Sequence, residues 1–344
     1  MLPDDGTADL IAGLLELTEM ASRVKVAAPW EGPHAQEWDL ETAATWLRDN
    51  VANQGARDLL SIAMGGAVGV QPQDISLLHY LFIAASAGGP FNLVAVGRGN
   101  VEFRVVGGTG LLVEGLAKPL GGSIRLKTPV TAIEHGGATV RVTTPHGAWA
   151  ADHVILAMSP TMTQQILFDP VLPVSRVQSV QRTGNASASK FCPVYPRPFW
   201  RDQGFNGIIQ SNSAPFSGVF DNSPPDGSVG VLFALVENQQ ARRMSTLSPA
   251  QRKKEILDGL ALAYGDQARH PTKFLEQDWQ SEPWIRGGAA SFFAPGVLTE
   301  YRYLFGTPIG RLHFAGTETG TAFWGTIEAA MASGERAARE VLGA

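Results

Sequence analysis

The sequence predicts a mixed α and β protein in which helices, an antiparallel sheet and strand–turn–helix units share one chain. Three patterns carry that expectation. Apolar residues recur at helical spacing through the opening of the chain. Short alternating runs bounded by Pro, Gly and Asn fill residues 186–238. The C-terminal stretch reads as strand, glycine-rich turn and amphipathic helix.

Leu10, Leu14, Leu17, Met20 and Ala21 form one stripe, which predicts a helix over 7–26. Pro29-Trp30-x-x-Pro33 breaks it. A second helix begins in Trp38–Leu47, with Asp39 placed to cap it. Residues 54–68 and 74–87 predict two more helices, split by Gly69-Val-Gln-Pro72, and Gly88-Gly-Pro90 closes this helical opening. Phe103-Arg-Val-Val-Gly-Gly-Thr-Gly110, followed by Leu111–Leu120, reads as strand, glycine turn and helix. It lacks the third glycine of Gly-x-Gly-x-x-Gly, and no acid closes a following strand about 20 residues on, so as a dinucleotide signal it is weak. Strand-like runs follow at Ile124–Ile133, Thr139–Thr143 and Ala151–Ala157. Phe191–Tyr195, Gly207–Gln210, Gly218–Asp221 and Val229–Val236 then predict a mostly antiparallel sheet. Ser248 followed by Pro249 marks a helix start, an N-cap serine with proline at the first helical position, continuing to about Tyr264.

At the C-terminus, Leu312–Ala315 reads as a short buried strand and Gly316–Gly325 as a small-residue turn. Ile327, Ala330, Met331, Gly334, Ala338, Val341 and Leu342 fall at helical spacing, with Glu328, Glu335, Arg336, Arg339 and Glu340 largely opposite. This arrangement lets backbone N–H groups at a helix N-terminus approach a ligand bearing negative charge. The same periodicity also fits a helix merely docked on a sheet.

A chain of 344 residues has room for two domains, and 44% hydrophobic with 17% charged residues is an ordinary globular balance. With 27 basic against 32 acidic residues and no basic block, a nucleic-acid partner is poorly supported. The single cysteine, Cys192, excludes an internal disulfide and a cysteine-based zinc site, and no metal site is expected. Leu77–Ala87 is too short to span a bilayer and the acidic start carries no signal peptide, so a soluble, cytoplasmic protein without a membrane partner is expected.

The literal residues of the C-terminal segment add more. Phe314-Ala-Gly-Thr-Glu-Thr319, then the aromatic pair Phe323-Trp324, Gly325, and a helix carrying Gly334-Glu-Arg-Ala-Ala338, closely resemble the flavin-binding segment of the flavin-dependent monoamine oxidases. The resemblance runs from about Pro29-Trp30 to the end. It implies an incomplete FAD-binding Rossmann-like domain interleaved with a substrate domain of antiparallel sheet plus helices. In those terms residues 1–96 are the helical part of the substrate domain and 97–160 an FAD-domain segment. Residues 161–285 are substrate-domain sheet and helices, and 286–344 the C-terminal FAD-binding segment.

The implied activity is oxidation of an amine to an imine, with O2 reduced to H2O2. By the same resemblance Gly316, Thr317, Glu318, Gly325, Thr326 and Ile327 line the flavin. Val130 meets the adenine end through its backbone, and Trp279 packs at the ring. Lys190, a few residues before Pro198-Phe-Trp200, would hold a water against flavin N5. A desolvated ammonium there would position that water for reoxidation by O2 and stabilise the charge that develops. Without the resemblance, Lys190 reads as a solvated lysine and Val130 as an ordinary strand valine.

Three departures matter. The cysteine that tethers flavin in the mammalian enzymes falls at Gly288, which has no thiol, so any FAD is held noncovalently. The two tyrosines that flank the amine fall at Ala289 and Thr326; Phe323 and Trp324 either substitute in part or simply pack. The leading Gly-x-Gly-x-x-Gly unit, its ribose-binding acid and the Arg-x-Gly-Gly-Arg segment do not appear. FAD binding by this polypeptide alone is therefore expected to be weak or absent unless a separate chain supplies that unit. Two other readings stay open: a catalytically silent homologue serving as a binding or scaffold protein, and a polyamine or amino-acid oxidase relative. For the latter, no argument places Arg286 or Arg302 at a substrate carboxylate.

Overall fold

Strand pairing and helix packing gather the chain into two units in a computed structural model that describes residues 4–94, 103–211, 213–301 and 306–343. The first comprises Met1–Leu15, Glu37–Tyr80 and Gly184–Pro295; the second comprises Glu16–Gln36, Leu81–Thr183 and Gly296–Ala344. The expected 1–96 piece is thus shared between both units, as is the 161–285 piece.

In the first unit a five-stranded antiparallel sheet runs in the order Lys273–Asp278, Ala188–Tyr195, Gly230–Glu237, Gly218–Asp221, Ile209–Gln210. Period-two alternation buries Phe191 and Tyr195 on one strand and Leu232, Ala234 and Val236 on its neighbour. These join Trp200, Ile256, Leu260 and Tyr264 in one core. The helix Pro249–Tyr264 that supplies much of it begins with the expected cap: Ser248 accepts from the Gln251 N–H, and the Gln251 side chain returns to the Ser248 N–H. Two polar ends of the aromatic core are paired, while the buried Tyr264 hydroxyl makes no hydrogen bond among the described residues. Tyr195 Oη donates to the Ala268 carbonyl at 2.8 Å, and Trp200 Nε1 donates to Asp221 at 2.9 Å.

The helices Gln54–Val68 and Leu77–Ser86 form where the periodicity places them. The expected cap at Asp39 does not. Asp39 is buried inside the short helix Ala35–Leu40, and Thr42 caps the next helix, Ala43–Asn50, accepting from the Thr45 N–H at 3.0 Å. A β-bridge between Thr42 and Ser76 holds Thr42 extended, which forces the restart there.

The second unit contains a four-stranded sheet in the order Gly147–Ala151, Val140–Thr144, Ala132–Glu134, Leu167–Asp169, and a parallel pair, Val154–Ala157 with Leu312–Ala315. Ile133, Val140, Leu156, Leu312 and Phe314 make its core, with Val130 packed at the margin. The strand expected over Phe103–Val106 does not form, and Phe103 and Val106 are about nine-tenths exposed. Residues 124–131 likewise stay outside the sheet, whose strand starts at Ala132. Among the described residues only Thr131, at the end of the second segment, reaches the sheet, donating its N–H to the Thr143 carbonyl and accepting from the Leu167 N–H; a β-run is stable only with a paired neighbour.

The terminal helix, Ile327–Leu342, forms as expected but turns the other way. Its buried residues are Ala329, Ser333 and Ala337, while Ile327, Met331 and Leu342 are 50%, 44% and 79% exposed. Side-chain size decides this. Ser333 Oγ accepts directly from the Gly316 N–H at 2.9 Å, an approach that larger residues on that face would block. Among the described residues no helix is long and apolar enough to cross a membrane.

Overpacking the buried stripe tests this orientation. Ala337→Leu is expected to cost about 1–3 kcal/mol in denaturant unfolding, whereas Met331→Gln changes stability by less than about 0.5 kcal/mol. The reverse ranking would restore the large-residue face to the interior.

Candidate active site

The glycine bend of the second unit is built by three backbone devices. Gly316 has φ 126°, a region that L side chains rarely adopt, and a Cβ there would lie 3.2 Å from the Met158 carbonyl. Its N–H is held by Ser333, and its carbonyl accepts from both the N–H and the hydroxyl of Thr319. Beneath the bend, Arg336 donates to the Phe314 carbonyl at 2.8 Å and to Thr319 Oγ1 at 2.9 Å, and its other amino group reaches Glu340 and the Gly306 carbonyl. His313, buried on the strand below, bonds Glu340 through Nδ1 and His153 through Nε2.

Glu318 is buried in this turn. The Thr317 hydroxyl is buried as well, and it makes no hydrogen bond among the described residues. A buried hydroxyl without a partner costs about 1–3 kcal/mol, which marks the place where a polar ligand atom belongs.

After the bend, Trp324 is buried edge-on against Phe82, and its N–H donates to Ser86 Oγ. Phe323 sits at φ 50° and is 45% exposed. The two aromatics therefore do not make a matched pair: one packs and one remains open. Thr326 caps the terminal helix by accepting from the Ala329 N–H, which anchors its hydroxyl to the backbone. Gly325 and Ile327 flank it on the exposed first turn, where the helix N–H groups and dipole favour negative charge. Val130 lies half-buried just before the Ala132–Glu134 strand.

In the first unit, Lys190 projects from the face of its strand opposite the core and is exposed. This corrects the expected desolvated ammonium, because strand alternation assigns position 190 to the open face. Its Nζ lies 5.5 Å from the Phe233 ring centroid, and Phe233 stacks on Phe220 with centroids 6.2 Å apart. Across the sheet Lys190 pairs with Leu235 on one side and Gln277 on the other. That register brings Trp279 close, two residues beyond Gln277. The turn bearing Trp279 is fixed by Ser189 Oγ and Ser281 Oγ, which both donate to Asp278, and by Gln280, which donates to the Ala241 carbonyl.

Ala289 lies on the strand Gly288–Phe293. At Gly288 a Cβ would meet the Ala188 Cβ at 2.4 Å, so the position excludes any side chain, a thiol included.

Sequence reading missed Phe220, Phe233 and Glu237. The aromatics were visible as the alternate members of two strand-like runs. Glu237 directly follows one of those runs and is only 7% exposed. Burial pushes its carboxyl up to about 7, against the opposing pull of the Ser217 hydrogen bond and Lys190.

A family profile described as flavin containing amine oxidoreductase matches residues 3–342. The chain belongs to that family. Amine oxidase [flavin-containing] A of Sus scrofa is 33% identical over 332 residues, covering 95% of this chain. Among family structures, wild-type putrescine oxidase bound to putrescine superposes with TM-score 0.95 at 28% identity, covering all of this chain and 77% of its own. Cyclohexylamine oxidase from Brevibacterium oxydans IH-35A superposes with TM-score 0.90 at 29% identity, with 98% and 75% covered. The chain spans about 63% of the length of the Sus scrofa relative.

Two outcomes follow from the buried polar groups. In the flavin-free chain, Thr317→Val is expected to raise stability by about 1 kcal/mol, read from the urea midpoint, because no hydrogen bond is lost; destabilisation would mean that the hydroxyl already has a partner. The raised carboxyl of Glu237 contributes its stability in full below its ordinary value of 4.5 and loses it as pH rises through about 7. Between about pH 5 and about pH 8 the wild type should lose about 2–3 kcal/mol that Glu237→Gln keeps, measured by denaturant titration at each pH.

Proposed function

We propose that this chain forms the larger part of an FAD-dependent amine oxidase that holds its flavin noncovalently. The observation that carries this reading is the Gly316 bend, locked onto the terminal helix by Ser333 and Arg336, with the partnerless Thr317 hydroxyl buried inside it. The residues present fit an isoalloxazine: a bend too tight for side chains, an unused hydroxyl, and an exposed helix N-terminus. Gly316, Thr317, Glu318, Gly325, Thr326 and Ile327 would hold that end of the cofactor, Val130 its adenine end and Trp279 the ring. The excluded side chain at Gly288 supports noncovalent binding.

The bound flavin supplies the electron acceptor for oxidising an amine to an imine and the donor for reducing O2 to H2O2. Lys190 would keep an ordered water in hydrogen-bonding reach and add positive charge where oxygen reduction builds negative charge. Phe220 and Phe233, beside Lys190 on the open sheet face, offer aromatic surface to an amine. They provide what Ala289 and Thr326 cannot, and Phe323 is the exposed aromatic of the terminal bend. The putrescine-bound relative makes aliphatic amines the first class to test.

The second unit exposes Phe103, Val106, Val113, Leu116 and Leu126. Apolar surface of that extent calls for a cover, and a strand–helix–strand FAD-binding unit contributed by a separate chain would provide it. Single-cysteine usage suits a reducing cytoplasm.

The exposed apolar surface also favours a second reading, a catalytically silent scaffold. One experiment separates the two. The purified chain is examined for flavin absorbance, then incubated with FAD and assayed with an amine panel coupled to peroxide detection. Flavin uptake with peroxide release supports the oxidase; no uptake under either condition leaves the scaffold. In an active preparation, Lys190→Met should slow oxidation of the reduced enzyme by O2 at least about tenfold, about 1.4 kcal/mol, while anaerobic reduction by amine changes little. Equal loss in both half-reactions would reject the role given to Lys190.

A further inference from the structure

A separate cleft opens within the first unit, with a cavity volume of about 290 Å3. It lies between the helix Gln54–Val68, the loop at Gln71–Gln73, residues 211–217 and the end of the Gly230–Glu237 strand. Among the described residues Glu237 is the only charged one in its lining; the others are chiefly serine, glutamine, asparagine and glycine.

Three features make this a built site. The Glu237 carboxylate accepts one hydrogen bond among the described residues, from Ser217 Oγ to Oε2 at 2.7 Å. A carboxylate has room for several donors, and beyond Ser217 and the pull of Lys190 one in a 7% exposed position still has capacity for a cation or further N–H groups. Next, Asn238 at φ 57° turns the chain sharply out of the strand, its N–H tied to the Ser187 carbonyl at 2.8 Å, and this fixes Glu237 at the wall. Third, neutral acceptors share the space. Gln73 donates its amide to Gln71 at 2.7 Å, which leaves the Gln73 carbonyl as an acceptor, and Ser61 adds a hydroxyl.

We infer that this cleft binds a small organic ammonium ion, with Glu237 as its counter-ion and Gln73 and the neighbouring hydroxyls as acceptors for the remaining N–H groups. An inorganic anion is disfavoured by the carboxylate, and a purely apolar guest would leave Glu237 without further donors. Every lining residue belongs to the first unit, and the ligand is expected to bind whether or not flavin does.

The test is calorimetric titration of the full chain, without added FAD, using putrescine, methylammonium and guanidinium chlorides against matched sodium chloride. Saturable binding of at least one organic cation, weakened at least about tenfold in Glu237→Gln, is the expected result. A second variant guards against misfolding of the first. Gly66 sits at the rim, exposed, and a Cβ there meets nothing within 4 Å, so Gly66→Trp obstructs the cleft without disturbing the core. It should weaken binding to a similar degree. No saturable binding to the wild type would overturn the inference. So would affinity unchanged in Gly66→Trp.

Discussion

The hydrogen bond from the Gly316 N–H to Ser333 Oγ is the contact on which the second unit's site depends. It requires a glycine, because the chain turns at φ 126°, and it requires a small polar residue, because the helix backbone approaches closely. Arg336 reinforces the joint from below by holding the strand through Phe314 and the turn through Thr319. Strand, bend and helix are thus joined by side-chain hydrogen bonds. The first turn of the helix is left exposed, and the Thr317 hydroxyl has no partner among the described residues. A ligand entering such a bend meets polar groups already in place, which lowers the ordering cost of binding.

The first unit reaches a comparable result through sheet alternation. One face of the strand Ala188–Tyr195 is spent on the aromatic core, so the other must present Lys190. The same alternation in Gly230–Glu237 places Phe233 beside that lysine. Core packing and site display are therefore set by a single register, and slipping it by one residue would bury the lysine and expose Phe191. Asp221 shows how firmly the rim is held. Burial works against its ionisation, yet hydrogen bonds from Arg201, Ser223 and Trp200 bring its carboxyl down to about 2.

Much of this was legible in the residues. The Ser248 cap, the two helices around Gly69, the antiparallel strands of 186–238 and the terminal strand, bend and helix all rest on local chemistry, and they form where that chemistry places them. The misreadings share a cause outside the local sequence. Helical periodicity located two faces on Ile327–Leu342 but could not choose between them, because the choice turned on how closely the Gly316 bend approaches. Asp39 is an adequate cap by type, yet a bridge to distant Ser76 moved the helix start to Thr42. Phe103–Val106 has strand composition and lacks a neighbour to pair with. Glu237 lies one residue past a strand-like run, and its burial rests on tertiary packing that the run itself does not show.

The contact at Gly288 bears on how this branch of the family could change. A covalent tether to the cofactor needs a thiol at that position, and the Ala188 methyl already fills the space that its first carbon would take. Acquiring one therefore demands a concerted change on two strands, the smaller residue at 188 arriving first.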